Sequence, residues 1–151
     1  MREYRELMPE LSIKYKKSGF HKVQVKQSAD IFEVLKNMYD SDTIEYNESV
    51  IVIFFDGANK TIGWTKHSSG GQCQTIIEIR TILAEALICG AVSIALSHNH
   101  PSGQLISSPE DDKITYKLYE ACKIMNIRFL DHIIVAGDMS GYYSYSDEGK
   151  L

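Results

Sequence analysis

The sequence is short of cysteine and proline and has no long apolar run. Its three cysteines, Cys73, Cys89 and Cys122, are odd in number, lie far apart and form no C-x-x-C pair. That excludes a disulfide framework and a cysteine zinc knuckle, and leaves buried reduced thiols as the reading. Three prolines and ten glycines in 151 residues are too few for a fibrous or low-complexity chain. The uncharged stretch at 86–100 is broken by Gly90 and Ser93 and falls short of a bilayer span. Residues 1–7 mix acids with bases and lack the apolar centre of a secretory signal. A cytoplasmic protein without a membrane partner is expected. What is present, 44% apolar and 24% charged residues, is the balance of one packed domain able to bury about 70% of its unfolded surface.

The net charge is −4, but its sign is unevenly placed: residues 1–27 hold seven Lys/Arg against three Glu, and the remainder nine against seventeen. Residues 1–27 therefore read as a basic arm and 28–151 as the domain. Lys14, Lys16, Lys17, Lys22 and Lys26, with Tyr15 and Phe20 between them, could meet the phosphates of a nucleic acid. A solvated edge strand uses lysines equally well to discourage aggregation.

Strand-like pieces are expected near 11–16 and 22–26. Ser28 offers an N-cap, and Ile31, Phe32, Val34, Leu35 and Met38 follow at helical spacing. The run 49–55 is, after Ser49, continuously β-branched and aromatic, as in a strand buried on both faces. After the Asp56–Asn59 turn, 61–66 should pair back as a hairpin containing Gly63 and Trp64. A second helix is expected at about 75–89, with Ile76, Ile79, Leu83, Leu87 and Ile88 as its stripe and Gly90 as its C-terminal stop. A short strand at 92–96 runs into a loop. The third helix has the clearest start, with Ser108 as N-cap, Pro109, Glu110 and Asp111 in its first turn, and Ile114, Leu118, Ala121, Cys122 and Met125 facing inward. Strands at 127–135 and 142–146 close the domain. The fold class is α/β at its border with α+β: a mixed sheet sandwiched by helices.

His98 and His100 stand at i and i+2 where a strand ends, so period-two geometry aims both imidazoles to one side at a separation that one metal ion bridges. Pro101 turns the chain, and a loop of six residues leads to Ser108–Asp111, where Asp111 lies in the first turn of the next helix as a third, oxygen ligand. Two histidines and one aspartate leave a zinc site with an open fourth position, which is the catalytic pattern. S-x-x-D with Pro at the first helical position is also an ordinary capping box, and that alone would explain Ser108 and Asp111. A hydrolytic centre needs a base as well; Glu48, heading the strand, is the candidate by position, and a solvated strand-start glutamate is its plain alternative. Asp131 and His132 could orient a metal ligand, although a histidine satisfied within the sheet is the more economical reading. His21 and His67 have no assignable partners. Trp64, Tyr142 and Tyr143 could edge a groove or simply pack.

H-N-H-P-S-G at 98–103, S-x-x-D at 108–111 and Glu48 at the head of E-S-V-I-V-I-F-F-D together resemble the JAB/MPN (JAMM) metalloprotease-like domain in its RadC-type branch. The likeness extends over 28–151 and includes the L-D-H-I-I string at 130–134. It implies a JAB/MPN (cytidine-deaminase-like) architecture, one Zn2+ per chain held by His98, His100 and Asp111, Glu48 as general acid/base and Ser108 helping to hold an oxyanion. The implied activity is zinc-dependent hydrolysis of an amide bond in a peptide or isopeptide. The alternative is a non-catalytic RadC-like module docking on DNA-repair or nucleoprotein partners. RadC-type chains commonly carry an N-terminal helix-hairpin-helix module where this sequence has its basic arm, so DNA contact by that route is not expected. Where the branch has an acidic-Pro-Arg string, this chain has Glu78-Ile79-Arg80. Nucleobase deaminase chemistry is excluded, since H-x-E and P-C-x-x-C are both missing.

Overall fold

A computed structural model describes residues 21–67 and 77–151. The expected strand at 11–16, most of the basic arm, Cys73 and Ile76 lie outside the described residues. Within them the chain runs α1 (Ser28–Leu35), β1 (Val50–Phe55), β2 (Thr61–His67), α2 (Ile79–Ile88), β3 (Ser93–His100), α3 (Pro109–Ile124), β4 (Arg128–Ala136) and β5 (Tyr142–Ser144). The five strands form one mixed sheet in the order β2-β1-β3-β4-β5. Only β3 and β4 run parallel, with α3 crossing between them; the other pairs are antiparallel.

Every residue of β1 is buried, as its continuous apolar run requires, because helices cover both faces. Ile51, Ile53 and Phe55 pack with α1, whereas Val50, Val52 and Phe54 pack with Ile82 and Ala86 of α2 and Leu118 and Cys122 of α3. The domain is a three-layer α/β sandwich. In β3, Ile94 and Leu96 join the α2/α3 layer and Ala95 the α1 layer. The period of two therefore sends His98 and His100 towards α3.

Several boundaries differ from expectation. The strand predicted at 92–96 continues to His100, because the polar residues 97–100 retain their ladder to β4 through Ala136. Ser28 is not an N-cap: Gln27 takes that place, and the Asp30 carboxylate accepts the N–H groups of Lys26 and Gln27. The Ser28 hydroxyl instead donates to Asp147 at 2.9 Å. In α2 the buried positions are Ile82 and Ala86, whereas Leu87 and Ile88 are exposed, so the expected stripe was rotated about the helix axis. Gly90 does end this helix: at φ +67° it donates to Leu87 O while Ala91 donates to Ala86 O, a paired closure that a Cβ would strain. Met125 is exposed, and Thr115 occupies the inner face of α3. Val25 is buried, with Val25 N–H donating to Asn59 O and Thr61 N–H to Val23 O, so these residues at the end of the arm pack onto the β1–β2 turn. Cys89 Sγ donates to Ala86 O at 3.5 Å, and burial pushes the Cys122 thiol up to about 11. Among the described residues no helix is long and apolar enough to cross a membrane.

Candidate metal centre

The end of β3 and the first turn of α3 meet at one point. His98 Nε2 lies 3.0 Å from His100 Nε2 and 3.1 Å from Asp111 Oδ1, and His100 Nε2 lies 3.6 Å from Asp111 Oδ2. One ligand atom from each residue falls within 4.8 Å of the others. His98 is buried, while His100 and Asp111 are partly open to solvent.

The predicted capping box is present as well. Ser108 Oγ accepts Asp111 N–H at 3.1 Å, and Asp111 Oδ2 accepts Ser108 N–H at 2.8 Å. The two readings of Asp111 do not compete: one carboxylate oxygen caps the helix and the other faces His98. The cap contributes about 1 kcal/mol and fixes the carboxylate's direction.

Hydrogen-bond partners assign the imidazole protons. Gln104 O, which can only accept, takes His100 Nδ1–H at 2.8 Å. His98 Nδ1 lies 2.8 Å from His132 Nε2, and His132 Nδ1 lies 2.6 Å from Thr115 Oγ, which itself donates to Asp111 O at 2.6 Å. Both imidazoles thus spend Nδ1–H outward and turn Nε2 inward, beside a carboxylate. Three converging acceptors repel one another unless a proton or a metal cation lies among them. Two imidazole nitrogens and a carboxylate oxygen form a donor set that suits a borderline divalent ion such as zinc.

With protons in place of a cation, His98 and His100 donate from Nε2 to the Asp111 carboxylate. Burial pushes the Asp111 carboxyl up, but hydrogen bonds from His100 and His98 outweigh it and hold the group well below the usual carboxylate range. The Asp111 hydrogen bond raises His100 above its ordinary value against the opposing effect of burial. Burial lowers His132 well below its own, keeping that ring neutral.

Glu48 is half-buried just before β1 and lines a cleft of about 560 Å³ with Glu45, Tyr46, His100, Pro101, Ser102 and Gln104. It is close enough for its charge to act on His100. The structure thus brings together His98, His100, Asp111, Ser108 and, across the cleft, Glu48. Of the two uncertain residues, His132 joins the centre and Asp131 does not: its carboxylate accepts from Ser144 and Ser146 on the opposite layer. His67, without a partner by sequence, pairs with Glu85 at 3.2 Å. Lys22 pairs with Asp56 at 3.6 Å. Trp64, Tyr142 and Tyr143 do not line the cleft, and Tyr142 stacks on Phe32.

Sequence reasoning missed three residues. Asn99 is buried between the two histidines and points away from them. Thr115 was hidden because a threonine gives no hydrophobic signal on a helix stripe. A Cβ on Gly137 would lie 3.0 Å from Pro101 O, so glycine there admits the Pro101 turn. A Gly directly after an apolar strand was the available hint.

A mixed sheet covered on both faces, with two histidines at a strand exit and a carboxylate on the next helix, defines a JAMM-type α/β domain. The family model described as RadC-like JAB domain matches residues 25–150, and the chain belongs to that family. It is 37% identical over 113 residues to a UPF0758 protein of Haemophilus ducreyi, covering 74% of this chain and 50% of that one. A UPF0758 protein of Flavobacterium johnsoniae is 39% identical over 103 residues, 68% of this chain and 44% of the relative. One from Aquifex aeolicus is 31% identical over 142 residues, 94% and 58%. The chain thus spans about half the length of the curated relatives it matches.

Proposed function

We propose that this domain is a zinc-dependent hydrolase that cleaves an amide bond in a peptide or isopeptide. The reading is carried by the convergence of His98 Nε2, His100 Nε2 and Asp111 within 4.8 Å of one another, beside the cleft that Glu48 lines. One zinc ion per chain, held by those three residues, would polarise the scissile carbonyl and make water nucleophilic near neutral pH. Glu48 takes the proton from the attacking water and delivers it to the leaving nitrogen. Ser108 Oγ accepts Asp111 N–H, so its own proton is free to donate to the carbonyl oxygen as charge develops there. His98 and His100 are held by their Nδ1–H bonds to His132 and Gln104, which keeps them oriented through the cycle.

Elemental analysis of zinc-replete protein tests the metal, with about one zinc per chain expected and loss in the His98→Ala/His100→Ala double variant. Fluorogenic peptides and lysine-isopeptide substrates test the chemistry. Glu48→Gln should retain zinc while turnover falls by about 10²–10⁴-fold. No divalent ion in the parent protein, or Glu48→Gln as active as the parent, would overturn the proposal.

A further inference from the structure

His98 and Asp111 come from different elements, the end of β3 and the first turn of α3, yet they stand 3.1 Å apart. We infer that His132 of β4 and Thr115 of α3 form a hydrogen-bonded strap that ties these two residues together and fixes His98 in the tautomer whose Nε2 lone pair faces the centre. This inference rests on the metal reading above.

The strap follows from counting protons. The Thr115 hydroxyl has one, and it goes to Asp111 O at 2.6 Å. Towards His132 Nδ1, also 2.6 Å away, the same oxygen must accept, so Nδ1 carries a hydrogen. His132 is fully buried and its ring nitrogens bond only to His98 and Thr115, so a second proton there would be an uncompensated buried charge. Its Nε2 is therefore a lone pair, and His98 Nδ1–H donates to it at 2.8 Å. The remaining lone pair of His98 is on Nε2, facing Asp111 Oδ1. The circuit closes on the residue where it began: Asp111 O, Thr115, His132, His98, Asp111 carboxylate.

Two features hold the strap rigid. Thr115 lies one helical turn after Asp111, so its hydroxyl reaches the i−4 carbonyl without distorting α3. The His132 ring stacks on Tyr145 with centroids 5.0 Å apart and planes 6° from parallel, and the Tyr145 hydroxyl donates to Asp112 at 2.8 Å. His132 and Thr115 are thus positioning residues acting through His98 and Asp111. Without the strap, His98 is free to place its proton on Nε2 and offer a cation an N–H in place of a lone pair.

The test is zinc affinity by chelator competition, together with the imidazole N–H spectrum, on folded variants in two matched pairs. His132→Phe keeps the ring's bulk but neither bond, whereas the His132→Gln amide can accept from His98 and donate to Thr115. Thr115→Val removes the hydroxyl, and Thr115→Ser restores it. His132→Phe and Thr115→Val should lose about 10–100-fold in affinity, and His132→Gln and Thr115→Ser should stay within about threefold of the parent. The exchange-protected Nδ1–H resonance of His98 should vanish in the first two and persist in the others. Equal affinity in all five proteins overturns the strap, as does His132→Gln binding as weakly as His132→Phe. If His132→Phe fails to fold, the Thr115 pair decides. Should the parent take up no zinc, the metal reading falls, and the Nδ1–H signal compared between Thr115→Val and Thr115→Ser still decides the strap.

Discussion

Asn99 offers the sharpest test of how the fold places Glu48. The histidines on either side of it turn towards α3, so Asn99 turns to the opposite face, where it is fully buried. Its Oδ1 accepts Ser49 N–H at 2.7 Å, and its Nδ2 donates to Ile44 O at 2.6 Å and Asn47 O at 2.8 Å. These three bonds hold residues 44–49, the segment that delivers Glu48 to the cleft. Asn99→Ala removes all three and leaves backbone groups without partners. At about 1 kcal/mol net for each bond the loss is about 3 kcal/mol. For a domain of this size that is a fall in Tm of about 6–12 °C. Zinc content should be kept, because the Nδ1–H bonds of His98 and His100 do not involve Asn99, whereas Glu48-dependent turnover should fall by about 10²-fold with a displacement near 1 Å. Asn99→Asp is the stricter variant: it can still accept from Ser49 but sets a carboxylate against two carbonyl oxygens, and it should melt below Asn99→Ala. Differential scanning calorimetry and single-turnover kinetics measure both. A melting point for Asn99→Ala within about 2 °C of the parent, or Asn99→Asp matching the parent, would refute the clamp.

Three further perturbations have definite signs. Asp131 is buried, and its carboxyl accepts from the Ser144 hydroxyl at 2.6 Å and from Ser146 N–H at 3.0 Å. Burial raises this carboxyl above its ordinary value against the opposing effect of those two bonds. The stabilisation is therefore complete below about pH 3.9 and is lost as pH rises through the raised native value. In urea melts across pH, Asp131→Asn should lack this loss and exceed the parent by about 1 kcal/mol on the alkaline side; parallel profiles would contradict the raised carboxyl. Gly137→Ala should displace the Pro101 turn, cost about 1–3 kcal/mol and weaken zinc binding, as calorimetry and chelator competition would show; an unchanged variant would mean that the turn yields freely. Ile82→Ala, at a fully buried site between the sheet and α3, should cost about 2–5 kcal/mol in denaturant melts while leaving zinc stoichiometry intact.

Elements whose signal is local were legible in the sequence. β1 could be read because six consecutive apolar residues admit burial on both faces, and α3 because Ser108, Pro109 and Asp111 start a helix whatever surrounds it. The meeting of His98, His100 and Asp111 was legible for the same reason, since i, i+2 in a strand and the third residue of a capped helix fix directions locally. The stripe of α2 was misread because five apolar residues fit two rotations of the helix, and only the packing of Ile82 and Ala86 on the sheet selects one. Ser28 was misread as a cap because its partner, Asp147, is 119 positions away. His132 stood undecided between sheet and site on similar grounds, for its role depends on which way β4 faces.

That facing is settled by one extra residue. Against β3, Ile94 pairs with Phe129 but Ala95 pairs with Asp131, so Leu130 is bulged and the alternation of β4 inverts. Phe129 belongs to the α2/α3 layer, and an unbroken strand would have put Asp131 on that side and His132 against α1. With the bulge, His132 reaches His98, and Asp131 reaches Ser144 and Ser146. Deleting Leu130 should remove the extra residue and leave Phe129, Asp131 and His132 opposite Ile94, Ala95 and Leu96 in simple alternation, with His132 still facing His98 and Asp131 still facing the serines. Such a variant should keep the strap and bind zinc as the parent does in chelator competition, losing only the stability that Leu130 contributes by packing against the α1 layer. If the deletion variant instead binds zinc as weakly as His132→Phe, the ladder beyond residue 130 has slipped, and the bulge itself, not the register after it, positions the centre.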